Sequence, residues 1–224
     1  MSIALLASQF DPAGYQSRFA RHGRIRLEGA ISADDAQAVH HALEQATPWE
    51  LQLVGKNGPE VINRHELHRL PEADIQARLQ EAAECAQDGL SYLRLGYGPT
   101  GDDALTPVAS LIRSAEFAQF CEAMTGLSGL ELQGLFAVCY RPGDFFTRHT
   151  DQSARLCFEW NFTQGWRPDW GGQVLFHGPS GDIEGGIMPR FNDLALYSGD
   201  QPRSVASVAP YASGPRFSLT GRFS

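Results

Sequence analysis

The second half of the chain alternates between apolar and other side chains, and this pattern limits the fold more than any other feature. Leu156, Phe158, Trp160 and Phe162 alternate with Cys, Glu and Asn residues, which is typical of a half-buried strand. Turns rich in Gly, Pro and Asp separate similar short runs at 130–140, 145–151, 173–177, 194–197, 203–208 and 215–222. Many short strands without crossover helices indicate an antiparallel sandwich or barrel.

Residues 1–128 have helical spacing instead. Ser32 and Ser114 each precede apolar residues three and four positions apart, so they predict helix starts. Pro71 predicts the first position of another helix, and Gly126 predicts the end of the helix that Ser114 begins. Short strands are expected at 24–28 and 50–54, loops at 55–60 and 96–103, and a turn at Gly185-Gly186.

Together these patterns predict an α+β fold with a double-stranded β-helix, or jelly roll, core and supporting N-terminal helices. A length of 224 residues suits one domain, with helical support over roughly 1–128 and the jelly-roll core over roughly 129–224. The net charge of −8 disfavours a nucleic-acid partner. The sequence has neither a membrane-length apolar run nor a basic leader, and its four cysteines are widely separated, so we expect a cytoplasmic protein with reduced thiols. The oligomeric state stays open.

His149-Thr150-Asp151 is the triplet with the clearest chemistry. Residues i and i+2 of a strand project from the same face, so the imidazole and the carboxylate point to one place. This pair suits ferrous iron, which proteins hold with two histidines and one carboxylate and leave open to other ligands. Taken alone, the triplet also fits a histidine and an aspartate that bond to a turn at a strand end.

Four ordered segments give the triplet a context. Residues 140–151, YRPGDFFTRHTD, resemble the metal-binding strand of the iron(II)/2-oxoglutarate dioxygenases, in their prolyl 4-hydroxylase-like branch. Residues 166–172, WRPDWGG, are similar to the double-glycine turn of that branch, and residues 189–197, PRFNDLALY, to the turn and strand after it. Residues 216–221, RFSLTG, resemble the closing strand that holds 2-oxoglutarate. The resemblance covers about 130–222 strongly and the helical half only loosely.

The resemblance implies a hydroxylase that acts on an unactivated C–H bond, with a prolyl side chain as the commonest precedent and a small molecule or a peptide as substrate. It implies Fe(II) and 2-oxoglutarate as cofactor and co-substrate, with ascorbate as a further candidate. His149 and Asp151 would be iron ligands. The residues that would bind 2-oxoglutarate are Arg216, Tyr140, Asn161 and Ser218.

One position departs from the family. A second histidine ligand is expected in the stretch 202–208, where this chain has Arg203, and a guanidinium has no lone pair for a metal. Arg203 could swing out of the pocket, His177 could replace the missing ligand, or the guanidinium could replace the metal and pair with Asp151. The last case would give a catalytically silent binding module that could still take a dicarboxylate through Arg203 and Arg216. A smaller departure is Arg222, where the branch has tryptophan.

Overall fold

The structure, a computed structural model, describes residues 2–224. Its helices are α1 Pro12–His22, α2 Ala33–His41, α3 Arg64–Leu67, α4 Glu72–Asp88, α5 Thr106–Ile112 and α6 Ala115–Thr125. Its strands are β1 Arg24–Glu28, β2 Glu50–Gly55, β3 Gly58–Ile62, β4 Tyr92–Tyr97, β5 Leu132–Tyr140, β6 Phe145–His149, β7 Leu156–Asn161, β8 Val174–His177, β9 Ile183–Ile187, β10 Asp193–Ser198, β11 Arg203–Val205 and β12 Arg216–Phe223.

The strands form one antiparallel sheet that curls around an interior. Its order is β1-β10-β7-β12-β5-β4-β6-β11-β8-β9, with β2 beside β4 and β3 beside β2. Strand β4 connects the two halves, because Leu95–Tyr97 pair with β5 while Tyr92 and Leu93 pair with β6. The predicted jelly-roll fold with supporting helices is therefore confirmed.

The two faces of the sheet bury different side chains, as the period of two requires. On the outer face, Phe117 of α6 stacks on Trp160 of β7, with ring centroids 5.9 Å apart and planes at 10°. On the inner face, Val138, Phe176 and Tyr197 form a second apolar cluster within the roll. The helices thus support the sheet from outside and leave its interior to the functional residues.

Most of the residues that predicted helix ends lie at helix ends in the structure. The side chains of Ser32 and Ser114 accept hydrogen bonds from the backbone N–H groups of Asp35 and Phe117, and Gly126 ends α6 with φ 77°. Pro71 caps α4 instead of occupying its first position. Within residues 2–224, none of the helices has the combined length and apolar character of a membrane span.

Three further local predictions were wrong. The segment expected to be a loop at 55–60 is a hairpin that continues into β3, and the loop expected from residue 96 begins after Tyr97. Gly185 and Gly186 lie within β9, where they pair with Phe176 and Leu175. Pairing with a neighbouring strand supplies the stability that these polar or glycine-rich segments lack by themselves.

Candidate functional site

The curled sheet encloses a cavity of about 340 Å³. Four of the predicted site residues line it: Tyr140, His149, Asp151 and Arg203. The other three, Arg216, Asn161 and Ser218, have no exposed surface and lie outside the cavity lining. The structure thus brings four of the predicted residues to the cavity surface and buries the other three beneath it.

A tight turn between β5 and β6 positions the His149 strand. The Asp144 carboxylate accepts hydrogen bonds from the backbone N–H of Arg141 at 2.8 Å and from its guanidinium Nε at 3.0 Å. Gly143 adopts φ 93°, which a side chain would oppose. Burial raises the pKa of Asp144, although Arg141 opposes this shift. The turn reverses the chain so that β6 ends with its histidine at the cavity.

His149 is held in a defined tautomer. Its Nδ1 lies 2.9 Å from the carbonyl oxygen of Thr147, and because a carbonyl can only accept, Nδ1 carries the proton and Nε2 keeps its lone pair. The ring stacks on Phe146 with centroids 3.7 Å apart. Burial, followed by the charge of Arg203, lowers the pKa of His149 to about 4. The imidazole is therefore neutral near pH 7.

The carboxylate of Asp151 already has two partners. Its Oδ1 accepts a hydrogen bond from the Ser153 hydroxyl at 2.8 Å, and its Oδ2 lies 3.3 Å from Nη1 of Arg222 on β12. The alternative in which Arg203 pairs with Asp151 is not observed, and Asp151 forms its ion pair with Arg222 instead.

Arg203 stays inside the roll. Its backbone lies opposite His149 in the β6–β11 register, and the residue is only 7% exposed. Its Nη1 donates to the carbonyl oxygens of Gly199 and Gln201, both at 3.3 Å, and its Nη2 lies 3.5 Å from Sγ of Cys157. Its Cζ lies 5.0 Å from the ring centroid of Tyr197. These contacts hold the guanidinium at the cavity, so the swing out of the pocket is not observed.

His177 does not replace the missing ligand. Its Nε2 lies 2.8 Å from the hydroxyl oxygen of Ser204, and the residue is not part of the cavity lining. Along β8, Val174 and Phe176 belong to the interior cluster, so the period of two directs His177 to the opposite face.

Arg216 forms a buried ion pair that the sequence did not suggest. Its Nη2 donates to Oε1 of Glu159, whose side chain is 7% exposed, and to Oδ1 of Asn161 at 3.1 Å. The Asn161 amide in turn donates to the same Glu159 oxygen at 3.2 Å. The guanidinium lies over the Tyr140 ring, with Cζ 5.3 Å from its centroid. Glu159 shares the inner face with Asn161 two residues later, and that spacing is the signal that could have revealed it.

The comparisons with known proteins agree with this architecture. The family model described as "2OG-Fe(II) oxygenase superfamily" matches residues 135–224. A prolyl-4-hydroxylase of Pseudomonas putida superposes with a TM-score of 0.59 at 19% identity, covering 95% of this chain and 98% of that one. A 2OG-Fe(II) oxygenase family oxidoreductase of Burkholderia pseudomallei superposes with a TM-score of 0.64 at 13% identity, covering 96% and 92%.

A third solved structure, the prolyl hydroxylase of Trichoplax adhaerens in complex with a hypoxia inducible factor peptide fragment, has a TM-score of 0.60 at 13% identity and covers 95% and 88%. No curated protein sequence matches the chain. The resemblance predicted from the sequence is confirmed: residues 135–224 have the superfamily's sequence pattern, and residues 2–224 have the fold of these oxygenases. These relationships support the dioxygenase class and imply Fe(II) and 2-oxoglutarate for that class.

The residues of this cavity do not fit ferrous iron. A facial iron site takes three protein donors, but in the part of the chain that the structure describes, no three His, Cys, Asp or Glu side chains form a group that could hold a metal. Arg203, which the sequence places where the family's second histidine is expected, lies opposite His149 in the strand register and lines the cavity. A guanidinium about 4 Å from a divalent ion would oppose its binding by roughly 8 kcal/mol at an effective dielectric of 20.

Proposed function

We propose that this oxygenase-fold chain is a metal-free binding module, in which Arg203 stands in place of the metal and the cavity takes a small organic anion. The observation that carries the proposal is the buried Arg203 guanidinium opposite His149. Arginine stays protonated inside proteins, so the cavity keeps a positive charge where the fold's relatives would hold a cation.

The charges around the cavity favour an anionic ligand. Asp151 pairs with Arg222, and Glu159 pairs with Arg216. Two further arginines line the cavity, Arg94 and Arg203, and neither forms an ion pair with any carboxylate of residues 2–224. His149 is neutral near pH 7 and adds no charge. A carboxylate would supply the missing negative charge and would suit the planar fork of a guanidinium.

A second candidate function is the hydroxylase that the sequence predicted. The observation in its favour is that His149 and Asp151 both line the cavity, with Nε2 of His149 free to bind a metal. Such an enzyme would hold iron with two residues only, and its substrate would be a small molecule or a peptide, with a prolyl group as the first to test.

Metal binding separates the two candidates. Under anaerobic conditions, equilibrium dialysis of the wild-type protein against Fe(II) should show no stoichiometric binding, and addition of 2-oxoglutarate should give no visible charge-transfer band. Arg203→His supplies a third donor opposite His149 and should bind about one equivalent of Fe(II). Stoichiometric iron in the wild type, together with conversion of 2-oxoglutarate to succinate, would establish the hydroxylase and overturn the proposal.

A second experiment tests whether the cavity binds a small organic anion through Arg203. Acetate binding, measured by calorimetry in metal-free buffer, should be lost in Arg203→Gln. The matched control is Arg148→Gln, which removes an exposed arginine from the adjoining position of β6 and should leave binding unchanged. Equal acetate binding by wild type and Arg203→Gln would contradict the assignment to Arg203.

A further inference from the structure

The deep end of the roll contains a closed set of polar side chains. Strand register sets Arg216 opposite Tyr140, and Ser218 opposite both Val138 and Asn161. Glu159 lies opposite Thr220 on β12 and Ala195 on β10. These residues therefore share the inner face of three neighbouring strands, immediately behind the cavity.

Glu159 separates Arg216 from the cavity. Glu159 and Tyr140 belong to the cavity lining, whereas Arg216 does not and has no exposed surface. A ligand that enters the cavity therefore meets the Glu159 carboxylate before it reaches the guanidinium. Because two carboxylates repel each other and Arg216 already donates to one, a second carboxylate cannot take the same donor without displacing Glu159.

The guanidinium has more hydrogen-bonding capacity than Glu159 uses. Within the described chain, Nε and Nη1 of Arg216 are buried without a hydrogen-bond partner, and so is the hydroxyl oxygen of Ser218. Buried polar groups are normally satisfied. Glu159 therefore uses only one donor of the guanidinium, and a ligand carboxylate could reach the other two only by passing Glu159, which lines the cavity while Arg216 does not.

We infer that Glu159 is an internal ligand of Arg216 and determines the specificity of the cavity, because it excludes 2-oxoglutarate and other dicarboxylates from the guanidinium that the resemblance assigns to them. The inference deepens the proposed function and rests on it in one respect: the ligand anion is held at Arg203, and Arg216 is not available to it. It differs from the alternative considered from the sequence, in which a silent module binds a dicarboxylate through Arg203 and Arg216 together.

Chemical rescue tests the inference. Glu159→Ala removes the atoms of one acetate molecule from beside Arg216, so acetate should refill the space. The measurement is made in an Arg203→Gln background, where the anion site of the proposed function is absent. There, Arg203→Gln alone should show no measurable acetate binding, and Arg203→Gln/Glu159→Ala should bind one equivalent of acetate.

Two controls give the rescue its meaning. Acetamide, which has the shape of acetate without the charge, should not bind the double variant. Arg203→Gln/Glu159→Gln should gain no acetate site, because the amide fills the same space. A folded Glu159→Ala double variant that gains no acetate site would overturn the inference about Glu159 while leaving the role of Arg203 intact.

A second measurement uses the wild-type protein and does not depend on a variant that folds. Crystals soaked in 2-oxoglutarate should keep the Glu159–Arg216 pair, with no ligand carboxylate on Arg216. A 2-oxoglutarate carboxylate bound to Arg216, with Glu159 displaced, would overturn the inference.

Discussion

Replacing only one residue of the Glu159–Arg216 pair by an apolar residue should destabilise the protein far more than replacing both. The two side chains are 7% and 0% exposed, so each single variant leaves an uncompensated charge inside the roll. Breaking a buried pair in this way costs about 3–5 kcal/mol, whereas replacing both partners by apolar residues is often neutral or stabilising. For a chain of 224 residues, the single variants should lower Tm by about 6–20 °C.

The two single variants should also differ from each other. In Glu159→Leu the remaining Arg216 cannot lose its proton and has no exposed surface. In Arg216→Met the remaining Glu159 lines the cavity, so water can approach its charge from that side. We therefore expect Glu159→Leu to be the less stable of the two.

Urea unfolding of the wild type, both single variants and Glu159→Leu/Arg216→Met completes the cycle. The measurements require buffer without carboxylates, because acetate could fill the space beside Arg216. The exposed pair Arg167–Asp169, with side chains 66% and 56% exposed, provides a control cycle whose coupling should not exceed about 1 kcal/mol. If the two single variants lie within about 0.5 kcal/mol of the wild type, as ordinary surface substitutions do, the reasoning about the buried charge is refuted.

Three further predictions concern His149, the cysteines and two glycines. Arg203→Gln should raise the pKa of His149 above about 4 but not to its ordinary 6.5, since burial is the larger cause and remains; an unchanged imidazole titration by NMR would contradict this. Iodoacetamide should modify half-buried Cys85 before the three buried cysteines, because burial raises the pKa of Cys157 to about 11 and that of Cys139 to about 12; faster alkylation of Cys157 by mass spectrometry would refute it. Gly199→Ala should lose about 1–3 kcal/mol in urea unfolding, because its Cβ would collide with the carbonyl oxygens of Asp151 and Ala154, whereas Gly214→Ala has open space and should be nearly neutral.

Local signals predicted much of the fold because they act over a few residues. Ser32 and Ser114 cap helices by accepting hydrogen bonds from N–H groups three positions away. These hydrogen bonds do not depend on the rest of the fold. Strand β3 was missed because its first residues, Gly58 and Pro59, are typical of loops. Its stability comes from pairing with β2, and the sequence of the segment alone does not show which strand will lie beside it.

The site was predictable to the extent that it depends on the period of two. That period places Arg216 with Ser218 on one strand and directs Asn161 to the inner face of another. The same period places Glu159 on the inner face. Its ion pair with Arg216 could not be predicted, because Arg216 lies 57 positions away in sequence. Arg203 was recognised at its position, whereas its hydrogen bonds to Gly199 and Gln201 depend on how the preceding loop folds.

Two residues of this chain form ion pairs with groups that the resemblance assigns to iron and 2-oxoglutarate, and a third places a positive charge at the cavity. Arg222 neutralises the Asp151 carboxylate, Glu159 neutralises Arg216, and Arg203 places a cation opposite His149. Any one of these contacts could coexist with a bound cofactor if the side chain moved. All three together require an entering iron–dicarboxylate unit to break two ion pairs and overcome one positive charge. These contacts support the proposal of a metal-free cavity, in which the charges of Arg94 and Arg203 are the ones that a ligand anion would match.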